Sequence, residues 1–199
     1  MGYSTILDII GSVIIGGLIM LILFRLSDAA SQNTYNNGQE LTVQTDLTTI
    51  VEILENDFRK IGYCEDYSKI PDPSKAIISA DSTSISFLID VNNTGNVDTL
   101  HYYIGPTSEL SSTPNPNDRL LYRVINGETP KSIALGLTEF KLLYFDPLGD
   151  TLNFPIASPG EIASIQISIQ VEDAEAYNNE YVSAFWRQIR LSARNLNNR

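Results

Sequence analysis

The sequence predicts an α+β protein in which one long N-terminal helix packs on a mostly antiparallel β-sheet. Apolar residues follow a helical spacing as far as Gly62, and beyond residue 75 they alternate with polar residues as in strands. Helix and strands are therefore segregated along the chain. The predicted boundaries are an apolar helix at 1–28, an amphipathic continuation at 29–62 and a β-rich domain at 63–199.

Composition limits the classes of function. The chain has 199 residues, of which 43% are apolar and 19% charged, and its formal net charge is −11. The apolar fraction argues against disorder, and the negative field repels phosphate backbones, so nucleic acid is not expected as a partner. The one cysteine, Cys64, excludes an internal disulfide framework.

The first part of the helix is an uncharged run from Ile9 to Phe24, followed by Arg25. Extended back to Ile6 across Asp8, it is 19 residues long; at about 1.5 Å per residue it nearly matches the ~30 Å hydrocarbon layer. A signal peptide is one alternative, but it would have a basic n-region and a better cleavage motif. A globular core helix is another, but it would carry a polar stripe. We therefore expect a helix inserted in a membrane or buried in a helical bundle.

This segment contains candidate positions for helix packing. Ser12 and Gly16 form a small-xxx-small pair that lets a second helix approach closely. Asp8 lies about one turn inside the apolar run, where a carboxylate either pairs with a cation or stays solvated at the membrane interface; both alternatives remain open. The candidate set is Asp8, Gly11, Ser12, Gly16 and Gly17.

The second part of the helix is amphipathic. Asn36-Asn37-Gly38 is expected to weaken or break it, and Gly62 is a natural C-terminal cap. One face is apolar at i, i+3, i+4 and i+7 spacing. That face comprises Leu47, Ile50, Val51, Leu54, Phe58 and Ile61.

The remainder of the chain predicts about six strands joined by short polar turns. A hairpin is expected around the NNTGN sequence at 92–96, because alternating apolar residues flank it on both sides. The predicted strands cover residues 85–91, 97–104, 120–125, 137–145, 164–171 and 184–193.

No catalytic motif is found. His101 is the single histidine and alternates with tyrosines in a predicted strand, so a side chain facing solvent or a neighbour is the favoured interpretation. Cys64 has no Cys or His at metal-ligand spacing. We therefore expect a protein that is not an enzyme and needs no cofactor.

One segment resembles a calcium loop, because oxygen-bearing side chains alternate around Gly95. The bidentate Glu at the twelfth position is missing, with His101 in its place, and Asn and Asp also favour hairpin turns for conformational reasons. Both interpretations stay open. The candidate calcium ligands are Asp90, Asn92, Thr94, Asn96 and Asp98.

The C-terminus is basic within an acidic chain. No acid follows Glu180, so a basic patch there is a candidate contact with an acidic face of this domain or of a neighbouring subunit. A solvated strand edge is the alternative. The candidate contact residues are Arg187, Arg190 and Arg194.

Four stretches carry a resemblance to a known family. They are LENDFRKIGY at 54–63, IDVNNTGNVDTLHYYI at 89–104, LYRVINGETPKSIALGLTEFKLLYFDPLGD at 121–150 and RQIRLSARNL at 187–196. Together with the long helix they resemble the type IV pilin and type II secretion pseudopilin superfamily, most of all its W-type minor pilins and J-type pseudopilins. The third stretch is similar to a strand, a small-Leu-Gly turn and a further strand in those proteins.

The resemblance implies a structural subunit held in the bacterial cytoplasmic membrane by a single helix, with its C-terminal domain periplasmic or extracellular. Other pilin-like subunits would be its partners in a pilus-like filament or pseudopilus. It also implies processing after Gly2 and Tyr3 as the first mature residue, although no basic residue precedes Gly2. Asp8, one position later than the family's glutamate, would neutralise the terminal ammonium of a neighbouring subunit.

Two other classes of function are weighed against this one. A stand-alone anchored binding or adhesion module would use the helix only as an anchor and the sheet as a ligand surface. An anchored enzyme would require carboxylates with shifted pKa values gathered in one pocket, and the sequence gives no means of pairing them.

Overall fold

The computed structural model describes residues 2–176 and 181–191, with the side chains of all of these except Ser4, Leu135, Ile189 and Arg190. It confirms the α+β class: one long helix is followed by an antiparallel sheet that packs on the C-terminal part of the helix. The elements are α1 (Tyr3–Arg59), β1 (Ile77–Ala80), β2 (Ser84–Ile89), β3 (Asp98–Ile104), β4 (Arg119–Ile125), β5 (Lys131–Phe145), β6 (Ser164–Glu172) and β7 (Ser183–Leu191).

Helix α1 passes through the Asn36–Gly38 segment as continuous α-helix, so the break expected there is not found. A single glycine costs a helix only about 1 kcal/mol relative to alanine, which the long helical segments on either side tolerate. The helix ends as expected before Gly62, which adopts φ +74° and donates its N–H to the carbonyl of Leu88 at 2.9 Å. Glycine accepts this left-handed conformation without steric cost.

The chain forms two compact units, Met1–Leu41 and Thr42–Arg199. The first is helical wherever it is described beyond Gly2, and the second contains the rest of α1 with the sheet. This division lies inside the helix, at the point where its side chains begin to be buried. The change of composition near residue 28 therefore precedes the change in burial by about three to four turns.

Within the described residues, the strands form one seven-stranded sheet in the order of the chain, with every neighbouring pair antiparallel. The hairpin predicted around NNTGN joins β2 to β3, in register from Ser84 opposite Tyr103 to Ile89 opposite Asp98. Strand β1 is missing from the sequence prediction. It has only four residues, and its burial does not alternate, since Ile77 is buried while Ile78 and Ser79 are both exposed.

Strand β5 begins earlier than predicted, at Lys131 rather than at 137. Its first half pairs with β4 and its second half with β6, and a register irregularity follows Leu137. Gly136 has φ +72°, and a Cβ atom there would lie 2.6 Å from the carbonyl oxygen of Glu172. The small-Leu-Gly turn implied by the family resemblance is therefore a bend within a single strand, which only glycine permits here.

The core lies between the sheet and the C-terminal part of α1. Phe58 is fully buried, with its ring 5.4 Å from that of Phe87 and 5.7 Å from that of Tyr102. Burying side chains of this size stabilises the fold by about 1.5–3 kcal/mol each. Most of the apolar face that the sequence predicts is buried: the positions are Val43, Leu47, Ile50, Leu54 and Phe58 in α1, and Ile61 just beyond its end.

Candidate functional site

The first unit of the helix exposes an apolar surface from Ile6 to Leu26. The large apolar side chains from Ile6 to Leu26 are each 52–70% exposed. Among the described residues there is one helix long and apolar enough to cross a membrane, with a mean hydropathy of 2.6 and none of that window buried. A signal sequence meets the same test of length and composition. So large an apolar surface marks a site that a membrane or other protein covers.

The candidate packing residues lie on this surface with open space around them. Asp8 is exposed, and Cβ atoms added at Gly11, Gly16 or Gly17 would meet nothing within 4 Å. At about 100° per residue, Ser12 and Gly11 lie within about 60° of Asp8, whereas Gly17 lies on the opposite side of the helix. The five residues therefore do not form one stripe, and Gly17 would face a different neighbour.

Ser12 requires no external partner for its hydroxyl group. Its Oγ donates to the carbonyl of Ile9 at 2.8 Å, which satisfies this polar group inside the helix. At the start of the helix, Gly2 precedes the first helical residue, Tyr3, which is 89% exposed.

A buried polar cluster fastens α1 to the sheet. Asp57 is 3% exposed, and its Oδ2 accepts hydrogen bonds from the Tyr102 hydroxyl at 2.6 Å and from Nε of Arg123 at 2.7 Å. Burial, followed by the charge of Asp57, raises the pKa of Tyr102 and keeps the phenol protonated. This ion pair fixes the rotation of the helix about its axis, because its hydrogen bonds are directional where apolar contacts are not.

Sequence reasoning missed this cluster, although two signals pointed to it. Asp57 follows Leu54 by three residues and therefore lies on the same helix face. Tyr102 and Arg123 are directly opposite each other in β3 and β4, a pairing that depends on strand register. The acid was visible within LENDFRKIGY, but its cationic partner, 66 residues away along the chain, was not.

The β2–β3 loop is organised around Asp90, which is fully buried. Its carboxylate accepts backbone N–H bonds from Glu65 at 3.2 Å, Thr94 at 3.0 Å and Gly95 at 2.7 Å. Burial opposes ionisation, but these backbone hydrogen bonds outweigh it and lower the pKa of Asp90. The residue acts as a cap that holds the loop against the end of the helix.

The other candidate calcium ligands also contact protein donors. Asp98 accepts from the N–H of Val91 and from the side-chain amide of Asn126. Asn92 accepts from the hydroxyl of Thr94 at 3.0 Å, and Asn96 accepts from the Lys69 ammonium at 3.0 Å. Calcium would have to displace these donors, so its binding in the loop stays a prediction.

Neither His101 nor Cys64 lies in an arrangement suited to nucleophilic catalysis. The His101 ring packs 5.1 Å from that of Tyr103, and partial burial lowers the pKa of the imidazole. Cys64 is buried, with its Sγ 3.9 Å from a carboxylate oxygen of Asp90. Within residues 2–176 and 181–191, no three or more His, Cys, Asp or Glu side chains form a preformed metal site. The absence of enzymatic activity remains a prediction.

The basic C-terminus is described only in part. Arg187 lies on β7, where its guanidinium stacks 5.2 Å from the Phe185 ring centroid and its Nε donates to the Ser168 hydroxyl at 3.3 Å. The side chain of Arg190 and the whole of Arg194 lie outside the described residues. Arg187 thus contacts its own sheet, and the candidate subunit contact stays a prediction at all three positions.

The chain was compared with families and proteins of known function. No family model matches it, and no curated protein does so either. The resemblance to pilins and pseudopilins therefore rests on the quoted motifs and on the order of the elements.

Proposed function

We propose that this chain is a non-enzymatic, pilin-like subunit, anchored in the cytoplasmic membrane by α1 and assembled through that helix into a type IV pilus-like filament or secretion pseudopilus. The observation that carries the proposal is the contrast within α1. The first unit exposes every large apolar side chain from Ile6 to Leu26, whereas the C-terminal part of the helix, from Val43 onward, packs on an antiparallel sheet. A lipid layer can cover the exposed surface before assembly, and neighbouring helices can cover it afterwards.

Asp8 provides a reason for the subunit to assemble rather than remain alone in the membrane. In a membrane an unpaired carboxylate costs about 2.5–3.5 kcal/mol at the centre of a helix and less near the interface. A cation supplied by a neighbouring subunit would remove that cost, so the acid favours the assembled bundle over the lone subunit in lipid. Ser12 and Gly11 lie on the same side, where they allow the neighbouring helix to approach closely.

The test is Asp8→Ala in the complete chain. We expect the variant to remain in the membrane fraction after carbonate extraction, because alanine is more compatible with lipid, while its incorporation into purified filaments falls at least several-fold. Asp28→Ala is the matched control, since Asp28 is an exposed acid of the same helix beyond the apolar run. Undiminished assembly of the Asp8 variant would contradict the proposal.

A stand-alone anchored binding module is the second candidate, and one feature of the sheet favours it. On the face opposite buried Tyr102, the ring of Tyr103 stacks on that of Tyr122 at 5.0 Å and lies 5.1 Å from that of His101. Such a row of partly exposed rings suits a ligand surface. In that case a chain lacking residues 1–25 would keep its full binding activity as a monomer, whereas a filament subunit would lose its function.

A further inference from the structure

An acidic cluster lies where the loop before β4 meets the end of β6; it consists of Asp118, Glu172 and Asp173. Asn115, which is 1% exposed, holds the two segments together. Its side-chain amide donates to Oε2 of Glu172 at 3.0 Å and to the backbone carbonyl of Asp173 at 3.2 Å. The cluster is therefore part of the packed domain and is remote in sequence from the Asp90 loop.

Two oxygens of the cluster are buried without a hydrogen-bond partner. Asp118 is only 1% exposed, and its Oδ1 accepts no hydrogen bond; the same is true of the buried Oδ2 of Asp173. Glu172 differs, because its oxygens accept from Gln170 and Asn115. Buried carboxylate oxygens are nearly always paired, so each of these two orphans indicates a group that the protein chain does not supply.

The surroundings of the cluster are negative. The segments 106–118 and 164–176 contain five acids and no Lys or Arg, and Arg119 follows Asp118 directly. Burial raises the pKa of Asp118; a hydrogen bond from Thr113 opposes this, and the charges of Glu172 and Asp173 raise the pKa further. An added positive charge would relieve both the burial and the mutual repulsion.

We propose that the acidic cluster binds a hard divalent cation, with Oδ1 of Asp118 and Oδ2 of Asp173 as its anionic ligands. Carboxylate oxygens suit calcium, which accepts six to eight oxygen ligands in flexible geometry. The carboxylates of the described residues are not gathered into a preformed metal site. Binding adds a second link between the loop before β4 and the end of β6, which Asn115 already joins, and this link makes the domain more stable when the ion is bound.

The experiment measures thermal unfolding of the complete chain in detergent micelles after treatment with EDTA. The additions are 5 mM CaCl2, 5 mM MgCl2, or NaCl at matched ionic strength. We expect calcium to raise the Tm by roughly 3–6 °C, as for a site of sub-millimolar affinity, with a smaller rise in magnesium and none in NaCl. Calorimetric titration of calcium is expected to give one ion per chain.

Two variants locate the ion. Asp118→Asn is nearly isosteric; it is expected to unfold at a higher Tm than the wild type without calcium, because a buried charge is removed, and to lose the calcium response. Glu128→Gln is the matched control: Glu128 is an exposed acid in the β4–β5 turn, and this variant should keep the full response.

Three outcomes would overturn the proposal. The first is a wild-type chain that calcium does not stabilise, and the second is one that NaCl stabilises equally, since general screening would then suffice. The third is a calcium response that Asp118→Asn retains but Asn92→Ala abolishes. That result would assign the ion to the β2–β3 loop.

Discussion

Helix α1 carries two phenylalanines in opposite environments. Phe24 is 60% exposed in the first unit, while Phe58 is fully buried against Phe87 and Tyr102 in the second. The same contrast holds for two acids of this helix, since Asp8 is exposed and Asp57 is buried in an ion pair with Arg123. One backbone element thus serves as a core helix over one part and offers an uncovered surface over the other.

The difference shows that helix formation and helix burial are separate properties of this chain. Helical hydrogen bonds continue from Tyr3 to Arg59, whatever covers the side chains. Burial begins only at Val43, where the apolar positions fall on one face and meet the sheet. Substitutions in the two parts should therefore affect different measurements: stability of the sheet domain in one, and assembly in the other.

The largest expected effect comes from truncating the two phenylalanines. Phe58→Ala should lower the free energy of unfolding of the sheet domain by about 3–5 kcal/mol, because it removes buried ring contacts and leaves a cavity. Phe24→Ala should leave this quantity within about 0.5 kcal/mol of the wild type. Denaturant titration in mild detergent, followed by fluorescence of the single tryptophan, Trp186, measures both. If both variants lost the same free energy of unfolding, Phe24 and Phe58 would not differ in burial as described.

A somewhat smaller effect is expected from the buried ion pair. Asp57→Ala should cost about 3 kcal/mol, because it leaves the guanidinium of Arg123 largely buried without its carboxylate. Glu55→Ala is the control; the pair that Glu55 forms with Arg59 at 3.2 Å is partly exposed and contributes no more than about 0.5 kcal/mol. The same unfolding titration separates the two variants. If they prove equally stable, the cluster does not fasten the helix to the sheet.

The smallest effect concerns the helix just before burial begins. Gly38→Ala should stabilise the helix locally by about 1 kcal/mol and slow amide hydrogen exchange around residues 35–41 by up to about fivefold. The added Cβ meets nothing within 4 Å, so no clash opposes this gain. Exchange followed by mass spectrometry in detergent is the measurement. Unchanged or faster exchange would show that another constraint dominates there.

Periodicity was sufficient for most elements of the fold. The six strands expected from alternation are all present, and the buried helix face agrees because side-chain direction follows directly from a helical repeat. Strand β1 was missed because four residues with one buried apolar position give no alternation to detect. The bend at Gly136 was taken for a turn, since sequence cannot distinguish a glycine that ends a strand from one that bends it.

The polar sites were less predictable. The loop around Asp90 was located from its alternating oxygen side chains, but its contacts with backbone N–H groups were not foreseen, because one donor, Glu65, lies 25 residues earlier. The Asp57 cluster and the acidic cluster depend on pairs separated by 66 and 57 residues respectively. Local pattern contains no information on such pairs.

The sequence by itself determined where the chain is helical, where it alternates as strands, and that its first apolar segment is long enough to cross a membrane. These properties follow from composition and period, which act locally. Only the tertiary structure decided that burial of the helix begins near Thr42, that Asp57 pairs with Arg123, and that Asp118 is buried. The physical reason is that burial and ion pairing depend on which distant segments come into contact. Strand register determines which residues are in contact, and it cannot be read from a local pattern.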